Sequence, residues 1–211
     1  MRRSRNEMIA ETRAKLLAAG RRAFGASGYA EASMDDFTGE AGLTRGALYH
    51  HFGDKKGLFA AVVAEIDSEM TARLCEISSM ASTRWQGFVD ENIGYVLMAL
   101  EPELQRIMFR DGPAVLGDPS QWPNANGCIA AVAQSLEILK QEGVIVDIDP
   151  EAGARLINAA SSSAAQWIAN AENPDAIAKR AVESFRTFLE GLRANKSGPW
   201  ASNESRLRVV A

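Results

Sequence analysis

The chain has 211 residues, 46% of them hydrophobic and 24% charged, which is ordinary for a globular protein and excludes a disordered or low-complexity chain. Its net charge of −4 is unevenly spread: residues 1–56 carry +3 and the rest −7, so an anionic partner would meet the N-terminal end. Cys75 and Cys128 form no close-spaced motif and cannot alone make a zinc site, and the histidines are confined to positions 50 and 51, so neither a metal nor a cofactor is expected.

Arg2, Arg3 and Arg5 form a basic arm that reads either as a solvated tail or as a contact to DNA phosphates or a minor groove. Glu11, Arg13 and Lys15 interrupt the apolar residues that follow, so the segment is not a secretory leader, and no later run reaches the length of a membrane span. A cytoplasmic location is expected. Ile9, Leu16, Gly20, Ala23 and Phe24 recur at helical spacing and predict a first helix over about 6–26, ended by Ser27-Gly28.

The stretch from Ser33 to Phe59 carries the most information. Ser33 is an N-cap, with Asp35 and Asp36 in the first turn where the helix dipole favours negative charge. Ala41-Gly42 ends that helix, and Thr44 caps a second one carrying Arg45, Gly46, Ala47, Leu48, Tyr49, His50 and His51. Two short helices joined by a tight glycine turn form a helix-turn-helix, whose second helix enters the major groove of DNA. Arg45 lies in the turn that faces base edges, and Arg is the commonest bidentate reader of guanine. Gly46 costs roughly 1 kcal/mol relative to Ala inside a helix, a cost that close approach to DNA would explain. Tyr49, His50 and Lys55 offer donors to phosphate oxygens. His51 reads equally as a DNA-side donor or as a packed core histidine.

Asp54 caps a fourth helix, on which Leu58, Phe59, Val62, Val63, Ile66, Met70, Leu74 and Ile77 make one long apolar stripe. It reads as a rigid connector from the DNA-binding unit to the body. Thr83 and Gln86 fit a capping box ahead of Trp85, Phe88, Val89, Ile93 and Val96. Pro102 restarts the chain into a short helix, and 110–124 reads as a loop because Gly and Pro recur in it. A seventh helix is expected over about 126–142. Asp149-Pro150-Glu151 and Asn173-Pro174-Asp175 mark two further helix starts.

The run GLTRGALYHHFGDKKGLF, from Gly42 to Phe59, resembles the recognition region of the TetR family of bacterial transcriptional regulators. The resemblance covers about residues 7–63. It implies DNA-binding residues Ser33, Thr44, Arg45, Gly46, Ala47, Tyr49, His50, His51 and Lys55. The expected fold is all-α with about nine helices: a three-helix DNA-binding domain over 1–53, a helical dimerisation and ligand-binding domain over 54–196, and a loosely held tail over 197–211.

Ala159 to Ala165 reads AASSSAA, and small side chains let helices approach closely. With the bulky last helix beside it, this predicts a four-helix interface between two copies, involving Ala160, Ser163, Trp167, Ala181, Phe185 and Phe188. The resemblance also implies a small-molecule effector. Trp85, Phe88, Asn92, Met108, Phe109, Trp122 and Trp167 are the residues that would line its cavity, although the same aromatic spacing also describes an ordinary core.

The expected function is a homodimeric repressor on a palindromic double-stranded DNA operator, released by a small apolar or aromatic ligand. A ligand-independent DNA-binding dimer, or an activator with a protein partner, fits the same residues. A helical enzyme does not: there is no nucleophile paired with a base, no metal spacing and no phosphate loop.

Overall fold

The computed structural model describes residues 4–194, so Arg2 and Arg3 of the basic arm and the expected tail over 197–211 lie outside it. It is all-α, with nine helices among the described residues. The first four are α1 (Arg5–Glu31), α2 (Met34–Glu40), α3 (Arg45–Phe52) and α4 (Lys55–Ser79). Then come α5 (Arg84–Leu97), α6 (102–116), α7 (Ala125–Gln141), α8 (Pro150–Ala169) and α9 (Pro174–Glu190).

Most helix starts follow from side-chain caps. Ser33, Thr44, Asp54, Thr83, Asp149 and Asn173 each accept a hydrogen bond from a backbone N–H in the first turn of their helix. Ser4 and Glu7 form a reciprocal capping box at α1. The pair expected at Thr83 is only half made, because the Gln86 amide donates to Asp90 at 2.7 Å instead. Gly28 interrupts α1 with φ 82° and ψ 169°, and one further turn follows before Ala32.

The loop expected over 110–124 is a misreading of its first half. α6 continues to Leu116 through a π-helical segment, Gln105–Asp111. The N–H of Gly112 reaches back five residues to the Ile107 carbonyl. A π turn of this kind admits Pro113, which has no N–H to give, without ending the helix. Gly112 is small for a packing reason: a Cβ there would lie 2.8 Å from the Trp122 ring. Val144 to Ile148, β-branched but brief, makes an isolated antiparallel bridge from Ile145 to Arg193.

The core is continuous from end to end. At the N-terminal end Phe24 packs on Phe37 and Phe59, with ring centroids 5.2 and 5.0 Å away. Leu16, Leu48 and Leu58 are fully buried beside them. α1 crosses α4 at Gly20, where a Cβ would meet the Leu58 side chain at 2.8 Å. The α4 stripe continues through Val62, Val63, Ile66 and Met70, all buried, toward the body.

Polar contacts join α1 to α4 and α6. Arg21 donates to Glu69 at 2.7 and 2.8 Å and to Glu103 at 2.9 Å. The Tyr29 N–H donates to the Asp111 carboxylate at 2.7 Å, and Arg106 donates to the Ala26 carbonyl at 3.2 Å. Gly28 is what lets Asp111 in: a Cβ there would stand 3.2 Å from its Oδ2. Its backbone angles are also open essentially to glycine alone. Gly28→Ala should therefore destabilise the protein by about 1–3 kcal/mol, read as a lower urea midpoint. An unchanged midpoint would show that the chain relaxes around a side chain there.

Candidate nucleic-acid interface

α3 stands on the core through Leu48, which is fully buried, with Ala47 and Phe52 packed half-buried beside it. Around it the helix turns an open face outward. Thr44, Arg45, Gly46, Tyr49 and His50 are exposed, while Ala47, His51 and Ser33 are half-buried. Ser33 and Thr44 use their hydroxyl oxygens as caps, accepting from Asp35 N–H and Ala47 N–H, which leaves each O–H available as a donor. A Cβ on Gly46 would meet only the Thr44 hydroxyl, at 3.7 Å, so packing within the chain does not require glycine there. The Arg45 guanidinium is gripped by the Asp35 carboxylate of α2.

Two residues differ from their simplest sequence reading. His51 packs its ring on His50 and Phe52, and burial, then the charges of His50 and Arg13, lower its pKa. A neutral imidazole at pH 7 can give one N–H but no charge to a phosphate. Lys55 is half-buried, and its ammonium donates to the Ala30 carbonyl at 3.1 Å and lies 4.6 Å from the centre of the Tyr29 ring. It ties α4 to the end of α1 rather than standing free.

A cavity of about 470 Å³ lies in the body between α4, α5, α6, α7 and α8. Of the seven residues expected to line it, Met108, Phe109 and Trp122 do so. The other four lie elsewhere. Trp85 stacks on Phe88, and its indole N–H donates to Glu190 of α9 at 3.2 Å. The Asn92 amide is spent on the Phe88 carbonyl of its own helix, at 2.8 Å. Trp167 points outward, 47% exposed, with Arg180 over its ring.

The polar wall of the cavity includes Asp67, Tyr95, Arg155, Asn158, Ser162 and Gln166. Burial pushes the Tyr95 hydroxyl up to about 12, against a hydrogen bond with Ser162. Ser162 sits within the AASSSAA run, so those small residues admit a cavity on one side as well as close helix approach. Cys128 also lines the cavity, and burial, then the nearby Asp67 and Glu91 charges, raise its pKa, which keeps the thiol protonated and unreactive.

α8 and α9 turn three large apolar side chains outward among charged ones such as Arg180. Leu156, Trp167 and Phe188 are 64%, 47% and 49% exposed. Leu156, Ala160, Ser163 and Trp167 share one stripe of α8 by their spacing. Ala181 and Phe185, expected on this face, are instead buried within the chain at 5% and 6% exposure, because α9 turns them toward its own core.

A helix-turn-helix on a helical body with an outward apolar face defines a class, the all-α regulators. Residues 16–62 match the model for bacterial regulatory proteins of the tetR family, and residues 85–192 match that for the tetracyclin repressor-like C-terminal domain. The chain belongs to the TetR family. It is similar to a TetR-family transcriptional regulator of Pectobacterium atrosepticum, whose crystal structure is 47% identical in sequence with a TM-score of 0.84, over 92% of this chain and 99% of that one. It also resembles the HTH-type transcriptional repressor AcnR of Corynebacterium glutamicum, 30% identical over 100 residues, 47% of this chain and 52% of that protein. The regulator TtgR of Pseudomonas putida is 41% identical over 61 residues, 29% of each chain. The chain thus spans about half or less of the length of these curated relatives. Among the described residues, no helix is long and apolar enough to cross a membrane.

The anchoring of Lys55 has a measurable consequence. Lys55→Ala should lower stability by about 1 kcal/mol, through loss of the ring contact and the carbonyl bond. A thermal midpoint equal to that of the unaltered chain, with a shallower salt dependence of DNA binding, would return Lys55 to the phosphates.

Proposed function

We propose that the chain is a sequence-specific DNA-binding transcriptional regulator, acting as a homodimeric repressor on a palindromic operator. The observation that carries this reading is the open face of α3. Thr44, Arg45, Gly46, Tyr49 and His50 stand together on it, all exposed, and packing within the chain does not require glycine at position 46. α3 would enter the major groove with Arg45 toward base edges and Tyr49 and His50 toward phosphates. Ser33, Ala47, His51 and Lys55 would support that face from behind. The division at residue 53 belongs to the same reading: helices before it meet DNA, helices after it pair and sense. Repression is favoured because AcnR, similar over 100 residues, is a repressor.

Two copies would meet through the outer face of α8 and α9. Leu156, Trp167 and Phe188 are large and outward-facing, and the small Ser163 beside them on α8 lets a second helix approach, which suits a self-complementary contact. A twofold pair would set two α3 helices about 34–36 Å apart, one turn of DNA.

The cavity would hold the effector. Its wall pairs Phe109, Met108 and Trp122 with Tyr95, Asn158 and Gln166, which suits an aromatic ligand with polar substituents. α6 touches both sides: Met108 and Phe109 face the cavity, while Arg106 and Asp111 hold the end of α1. A ligand that prefers a shifted α6 would lower affinity for DNA by the same free energy that DNA costs the ligand.

Selection of bound duplexes from random DNA should recover a palindrome of two half-sites, and titration of that complex with aromatic amphiphiles should identify a ligand that raises the Kd for the operator. Enrichment of no sequence would end the DNA reading. A ligand that binds without changing the operator Kd is not the effector. Phe188→Asp should leave helicity intact, shift the protein to monomer in sedimentation and reduce operator affinity; a mutant that remains dimeric would move the interface to another face.

A further inference from the structure

Asp35, in the first turn of α2, accepts from both Nε and Nη2 of Arg45 in a two-pronged contact. The two side chains are 64% and 57% exposed, so packing does not explain the pairing, and an exposed ion pair adds little to stability. Hydrogen bonds from Arg45 hold the Asp35 carboxyl below its usual range and raise the guanidinium in turn. The carboxylate is also a costly group to set on a surface that faces phosphates, unless it does something there.

The donor inventory of arginine indicates what that is. The guanidinium has five N–H donors in one rigid plane. Asp35 takes the Nε–H and one hydrogen of Nη2, along one side of the plane. The remaining Nη2 hydrogen and one from Nη1 point forward in parallel from the tip. That forward fork matches O6 and N7 of guanine in the major groove. Arg45 is therefore held along its side, with its reading end open, before any DNA arrives.

We propose that Asp35 is a specificity-determining positioning residue, which fixes the Arg45 guanidinium so that its free end reads one guanine in each half-site. The proposal rests on α3 being the DNA-facing helix. It assigns the acidic first turn of α2 a role in base recognition, carried through Arg45 rather than through contact with DNA.

The test uses the full chain with Asp35→Asn, Asp35→Glu and Arg45→Ala, each selected against random duplex DNA and then titrated with base-substituted versions of the selected site. Asp35→Asn should still bind DNA, while its preference for guanine at one position per half-site falls about tenfold. The position should be the one that loses its preference in Arg45→Ala. Binding to unrelated DNA should rise with Asp35→Asn, since a negative charge has left the surface. Asp35→Glu, which keeps the carboxylate on a longer stem, should recover part of the preference. A general loss of helix stability in α2 would weaken binding to all sequences alike and leave the base preference in place.

Undiminished guanine preference in Asp35→Asn overturns the proposal. So does a variant that binds the selected site more tightly with equal preference, since the carboxylate would then be a competitor that DNA must displace. If the unaltered chain selects no sequence, the DNA reading itself fails, and the proposal fails with it.

Discussion

Phe24 is fully buried, and three aromatic rings stand within 6 Å of its own: Phe37 of α2, Phe59 of α4 and Tyr29 at the end of α1. The cluster joins α1, α2 and α4, and the outward surfaces of the N-terminal helices take their direction from it. α2 can lie only where Phe37 reaches the cluster, and α4 only where Phe59 does. With Gly20 letting α4 approach α1 closely, α3 is seated by Leu48, flanked by the half-buried Ala47 and Phe52, and turns Arg45, Gly46, Tyr49 and His50 to solvent. Aromatic edge contacts are directional as well as apolar, so such a cluster sets angles between helices and not only their proximity.

From that fixed point the structure runs outward along α4 and α6. Arg21 is the main polar joint, taking carboxylates from α4 and α6 at once. Each pair alone would be weak at this exposure, but one planar group held by two partners resists sliding in more directions than two separate pairs. The π-helical segment of α6 lies between this joint and the cavity. π turns are frequent at functional sites, and here the irregular helix touches both the cavity and α1.

Features encoded by short-range chemistry were legible in the sequence. Ser33, Thr44, Asp54, Thr83, Asp149 and Asn173 each announce a helix within three residues, and Gly28, Gly42 and Gly53 mark breaks with positive φ. The α3 face was readable for the same reason, since its residues are neighbours in sequence. What depended on distant partners was not readable. Gly112 and Pro113 look like breakers until Trp122 and the π turn are seen. Tyr95 stands on α5 and Asn158 and Ser162 four residues apart on α8, so one face of α8 meets a residue that no local pattern links to it, whereas Trp85 and Trp167 are conspicuous by size and stand on other faces. Lys55 looked like a free cation because its acceptor, the Ala30 carbonyl, lies 25 positions earlier in the chain. Ala181 and Phe185 lie on the same side of α9 as Phe188 in a periodic count, but the packing surface cuts through that side.

Gly112 does not line the cavity, yet it bears the indole of a residue that does. The Trp122 ring rests where a methyl group on residue 112 would stand, and its N–H is fixed to the Gly117 carbonyl at 3.2 Å. The width of the cavity on that side is thus set one layer behind its wall. A lineage of such proteins need not alter a single lining residue to admit a larger or smaller guest. It can change the thickness of the backing, and the wall moves with it.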